Sequence, residues 1–117
     1  MGKSPLTLNL VQGSVSFGFT PEAARNLQAE IAQLVKILKV NASGNQKLGE
    51  KPSPKANLEY RYTGDVFFEV FCNPNIYPSP FAAKVLLTLR DDRIRLSTEA
   101  ELPRMIEDLN LYLEQVG

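Results

Sequence analysis

Histidine and tryptophan are missing from all 117 residues, and cysteine occurs once, at Cys72. Without histidine there is no Ser-His or Cys-His nucleophile, no HExxH zinc site and no imidazole to shuttle protons near neutral pH. Carboxylate, lysine and tyrosine chemistry stay formally open. A lone cysteine excludes an intrachain disulfide and a multi-cysteine zinc site, as in a reducing compartment, and in an apolar strand it reads as a small core residue. Excess charge of either sign is also missing: thirteen Lys and Arg balance thirteen Asp and Glu. No whole-molecule field therefore draws the chain to a phosphate backbone or an anionic bilayer. Its apolar runs fall well short of the ~20 residues of a spanning helix, and no basic n-region followed by an apolar stretch opens it. The expectation is a cytoplasmic protein with no integral membrane segment, no metal and no cofactor.

What is present suits one globular domain over residues 1–117, with 44% hydrophobic and 22% charged residues. Leu6, Leu8 and Leu10, then Val15, Phe17 and Phe19, alternate with small or polar residues. The pattern predicts a hairpin turning at Gln12-Gly13, with Leu10 opposite Val15 and Leu8 opposite Phe17. Thr20-Pro21-Glu22 then supplies a capping hydroxyl, a proline suited to the first helical turn and an acid at the positive helix end. Ala24, Leu27, Ile31, Leu34, Val35 and Leu38 follow at three- and four-residue spacing, the buried stripe of a helix. From Asn41 to Ala56 the chain is rich in Gly, Ser, Asn, Pro and Lys, and it is expected to be a flexible internal loop, 41–56.

A second hairpin is expected from Leu58, Tyr60 and Tyr62 against Val66, Phe68 and Val70 around a Thr63–Asp65 turn. It leaves Phe67 and Phe71 on the opposite face. The three prolines of Asn73–Pro80 predict a stiff irregular loop. Val85, Leu87 and Leu89 lead into Asp91-Asp92 and then Ile94 and Leu96, a third hairpin with Leu89 opposite Ile94. Thr98 and Glu101 have capping-box spacing, although Pro103 sits too deep for an unbroken helix from Thr98. Leu102, Met105, Ile106, Leu109, Tyr112, Leu113 and Val116 form the stripe of a final helix. The order ββ-α-ββ-ββ-α predicts an α+β fold: one antiparallel sheet of about six strands with both amphipathic helices on its apolar face.

Arg90, Arg93 and Arg95 with Lys84 could receive a phosphate or carboxylate, but a solvated hairpin tip whose charges neutralise one another is the favoured reading. Tyr60-Arg61-Tyr62 with Phe67, Phe68 and Phe71 mimics the aromatic-basic surfaces that stack RNA bases. Alternation sends Tyr60, Tyr62 and Phe68 inward, so no nucleic-acid partner is expected. The adjacent acids Asp91-Asp92 and Glu107-Asp108 read as a turn cap and a polar helix side, with no convergence into a catalytic or metal pair. Phe67 and Phe71 are the more telling residues, because aromatic area on the sheet face away from the helices usually belongs to an interface.

The stretch DDRIRLSTEAELPRMIEDLNLYLEQ, with CNPNIYPSPFAAKVLLTLR before it, resembles small cyanobacterial proteins of no named family. The likeness implies a bacterial cytosolic protein serving a larger assembly and brings no functional residues with it. Taken together, the residues predict a non-enzymatic interaction module, an adaptor, assembly factor or small subunit. Its expected partner is another protein or a second copy of itself. The candidate interface is Phe67, Phe71, Ile76, Tyr77, Arg90, Arg93 and Arg95. The alternative is a binder of a small apolar ligand held between sheet and helices.

Overall fold

The computed structural model describes residues 4–43 and 55–116. In chain order they form β1 (Pro5–Leu10), β2 (Gly13–Gly18), α1 (Pro21–Ser43), β3 (Leu58–Thr63), β4 (Phe67–Cys72), 3₁₀ turns at Pro74–Ile76 and Pro80–Ala82, β5 (Lys84–Arg90), β6 (Arg95–Glu101) and α2 (Leu102–Val116). The fold is α+β and every strand pairing is antiparallel. The six strands make two sheets where one was expected: β1-β2 stands apart from the four-stranded sheet β3-β4-β5-β6.

A buried carboxylate helps hold the first hairpin apart. The backbone N–H of Asn9, which would otherwise seek a neighbouring strand, donates to Asp108 Oδ2 on α2 at 2.8 Å. The Asn9 side-chain amide donates to Asp108 Oδ1 at 3.0 Å. Asp108 is therefore buried, with Arg104 at 3.6 Å, and does not lie on the polar helix side where the sequence put it. Held in this way, the hairpin turns its apolar face onto the four-stranded sheet. The Phe17 ring lies 4.7 Å from Phe68, and Phe19 lies 4.8 Å from Tyr62.

All three hairpins keep the faces that alternation assigns, and all three pair two residues away from the expected register. Leu8 faces Val15, Tyr60 faces Val70 and Leu89 faces Leu96. A slip of two preserves every inward and outward position because the side-chain period is two. The turns explain the slips. Gly13 is used after the turn, pairing with Leu10 at φ +101°, a conformation that a side chain would strain. Gly64 N–H donates to the Val66 carbonyl, so Val66 joins the turn and leaves the strand. The Asp91 carboxylate accepts from the N–H groups of Arg93 and Ile94, which lengthens the third turn and leaves Ile94 exposed. Those two backbone bonds also lower the pKa of Asp91.

α1 starts as its sequence dictates: Thr20 Oγ1 caps the N–H of Ala23 at 3.1 Å, and the Ala24, Leu27, Ile31, Leu34 and Leu38 stripe is buried. The helix runs on through Asn41–Ser43, so the first residues of the expected loop are helical. Asn41 donates from its side-chain amide to the carbonyls of Pro74 and Tyr77, tying the proline-rich segment to the helix end. Residues 44–54 of that loop lie outside the described residues. Lys55 is fixed by reciprocal bonds with the Asn75 side chain.

The capping box at Thr98 and Glu101 does not form. β6 pairs with β5 along its whole length, so those residues belong to the ladder, and α2 begins only at Leu102 with Pro103 harmlessly second. The Leu102 N–H still bonds back to the Ala83 carbonyl. Leu102, Met105, Leu109 and Tyr112 then enter the core, while Leu111 is exposed. No helix among the described residues is long and apolar enough to cross a membrane.

Candidate interaction surface

Helices α1 and α2 and the β1-β2 hairpin all lie on one side of the four-stranded sheet. Its inner face carries Tyr60, Phe68, Val70, Val85, Leu87 and Leu89, all buried. Tyr60 donates its hydroxyl to the Ala23 carbonyl of α1, and burial, with Tyr62 nearby, pushes its pKa up to about 12. The Tyr60 and Phe68 rings are thus part of the core.

The register fixes the outer face as three rows running across the strands, with the pair Lys84 and Glu101 beyond them on β5 and β6. Nearest the Asp91 turn stand Thr63, Phe67, Arg90 and Arg95. The middle row is Arg61, Glu69, Thr88 and Ser97, and the third is Glu59, Phe71, Leu86 and Glu99. Among the described residues no helix or hairpin packs on these rows. Phe67 and Phe71 are half-buried by their neighbours, and the Arg90 guanidinium lies 4.3 Å from the centre of the Phe67 ring. Arg61 Nε bonds Glu69 Oε2 at 2.8 Å, and that carboxylate raises the arginine pKa.

The structure thus brings four of the expected interface residues, Phe67, Phe71, Arg90 and Arg95, onto one face. Arg93 stands at the exposed turn beside it. Ile76 and Tyr77 lie apart, on the proline-rich segment. Ile76 is exposed, whereas Tyr77 packs on the core and is half-buried, with burial first among the causes that raise its pKa. Lys84 does not join the arginines: it starts β5 while Arg90 ends it, about 20 Å away at strand rise, and it pairs across from Glu101.

Two apolar residues were missed. Leu86, 45% exposed, sits beside Phe71 on the outer face. It is out of phase with Val85, Leu87 and Leu89, and that was the available signal. Phe81, 86% exposed, lies in the second 3₁₀ turn, where no periodicity assigns a face. Cys72 is buried, and its thiol is pushed up to about 11 by desolvation, so it is a core residue and a poor nucleophile. No group of three or more His, Cys, Asp or Glu that could hold a metal occurs among the described residues.

A groove of about 510 Å³ opens between α1 and α2, with Ile31, Val35, Ile106 and Leu109 in its lining and Lys36 and Lys39 at its edge. It differs in place from the expected ligand space between sheet and helices, where Phe19, Phe68 and Leu87 are fully buried. Comparison with protein-family models, curated proteins and solved structures finds no match for this chain.

Proposed function

We propose that this protein is a non-enzymatic interaction module whose binding surface is the outer face of the four-stranded sheet. The observation that carries the reading is the placement of Phe67, Phe71 and Leu86 on a face that no other described element covers. Apolar area held outward on rigid strands gains nothing for a monomer and supplies the anchors that binding energetics favour. β6 carries Arg95, Glu99 and Glu101 along the sheet edge, and charges there discourage strand addition. A partner is therefore read as docking on the face.

The test is the double variant Phe71→Ser with Leu86→Ser, followed by light scattering after size exclusion, alone and in native extract. Loss of association with a melting temperature within a few degrees of wild type is expected. Undiminished association, or a collapse in melting temperature, contradicts the reading. A second reading, a binder of small apolar molecules, draws its support from the apolar floor of the α1–α2 groove. Saturable binding of an apolar dye that Val35→Glu abolishes and the sheet-face variants leave intact would favour it.

A further inference from the structure

Resting on that reading, we propose that the occupant of the outer face is a second copy of this chain. The two copies dock face to face about a two-fold axis that crosses the strands at the level of Glu69 and Thr88. The face is self-complementary in charge. Arg90 and Arg95 stand directly opposite each other in the row by the Asp91 turn. Glu59 and Glu99 flank Phe71 and Leu86 in the row on the far side of the middle, the Arg61–Glu69 pair neutralises the middle, and Lys84 opposite Glu101 makes a balanced pair beyond the glutamate row. Among the described residues, Arg95, Glu59 and Glu99 make no ion pair.

Like charges directly across an antiparallel ladder destabilise it, so the Arg90–Arg95 arrangement is unfavourable in the isolated chain. Carboxylates brought to it would offset that cost. An axis across the strands inverts the order of the rows, so each arginine row lies over the glutamate row of the other copy. Arg95 then meets Glu99 of the second copy, and Phe67 meets Phe71 of the second copy. Each of these contacts occurs twice, as off-axis contacts of an isologous interface do, while the middle row lies on the axis and meets its own copy with its Arg61–Glu69 charges already paired. An axis along the strands would instead oppose Glu59 to Glu99 and leave the arginines without acids. Arg95 and Glu99 lie on the edge strand β6, hence at the rim, where charge sets orientation without a large desolvation cost.

Four strands at a spacing of ~4.8 Å and six residues at ~3.3 Å give a footprint of about 400 Å² per copy. A standard stable interface buries about 800 Å² on each partner, so the dimer is a weak, reversible one.

Sedimentation velocity from about 1 µM to about 1 mM tests this, a span that covers weak association. Wild type should pass from monomer to dimer. Arg95→Glu alone and Glu99→Arg alone should each weaken the dimer by more than about tenfold, because each sets like charges together twice. Their equimolar mixture should dimerise again, since Glu at position 95 of one chain then faces Arg at position 99 of the other. Both positions are exposed, and Arg95→Glu relieves the repulsion with Arg90, so melting temperatures near wild type are expected.

Wild type that stays monomeric throughout, or a mixture that does not recover, overturns the two-fold dimer. If wild type is monomeric while Phe71→Ser with Leu86→Ser still abolishes association in extract, the self-pairing fails and the binding-face reading stands. Association indifferent to that double variant overturns both.

Discussion

Phe67 and Phe68 are neighbours on β4 with identical side chains and opposite fates. Phe68 is fully buried against Phe17, Phe19 and Tyr60, whereas Phe67 faces outward under the Arg90 guanidinium. The same division continues along the strand, with Val70 and Cys72 in the core and Glu69 and Phe71 outside. One strand thus serves two purposes, its inner residues holding the fold and its outer residues forming a surface whose loss the fold should survive.

The largest effects are expected on the inner side. In urea denaturation Phe68→Ala should cost about 3–5 kcal/mol and Leu109→Ala about 2–5 kcal/mol, the ranges for emptying a buried phenylalanine and a buried leucine site. Leu111→Ala, on the exposed side of α2, should cost less than about 0.5 kcal/mol. Equal losses at Leu109 and Leu111 would mean that the helix face is wrongly assigned.

The Asp108 clamp comes next. Asp108→Ala leaves the Asn9 N–H and side-chain amide without their acceptor and should cost about 2–4 kcal/mol, while Glu107→Ala beside it should be nearly silent. A silent Asp108→Ala would show that the hairpin is held by its apolar contacts alone.

Alkaline pH probes the same inner side. The Tyr60 and Cys72 pKa values are raised to about 12 and about 11, so the folded state keeps protons that the unfolded state releases earlier. Stability is therefore full below about pH 9 and falls as pH rises through those values. A melting temperature flat between pH 9 and 12 would contradict the burial of both groups. At neutral pH the Cys72 thiol should resist alkylation until the chain unfolds.

The smallest effect concerns Tyr112, whose buried hydroxyl has no hydrogen-bond partner among the described residues and whose pKa is raised by burial first and Tyr62 second. Tyr112→Phe removes an unsatisfied group and should be neutral or stabilising by up to about 1 kcal/mol in the same denaturation assay. A loss of stability would reveal a bond through that hydroxyl.

Period made the faces of β1 to β5 and both helix stripes legible in the sequence, including the outward placement of Phe67 and Phe71, and the Thr20 cap marked the start of α1, whereas the capping-box spacing of Thr98 and Glu101 pointed to a helix where β6 runs. Register was not legible, because each turn is decided by backbone bonding at Gly13, Gly64 and the Asp91 carboxylate, which composition does not reveal. The division into two sheets was hidden for a related reason: it involves Asp108 reaching Asn9 across ninety-nine positions of chain. Leu86 is readable from its phase, while the exposure of Phe81 follows only from the path of the proline-rich segment. Within the candidate surface, alternation supplied the aromatic residues. Only the observed register aligned Arg90 with Arg95 and separated both from Lys84.

The most direct test of the division between the two faces is Phe67→Ser, measured for thermal unfolding and for association in the same preparation. A melting temperature within a few degrees of wild type, together with lost association, is the expected result. The cost to the monomer is limited to partial burial and one exposed cation–π contact of about 0.5–1 kcal/mol. A fall in stability matching Leu109→Ala, or association that survives the change, would contradict the account and make Phe67 a residue of the fold.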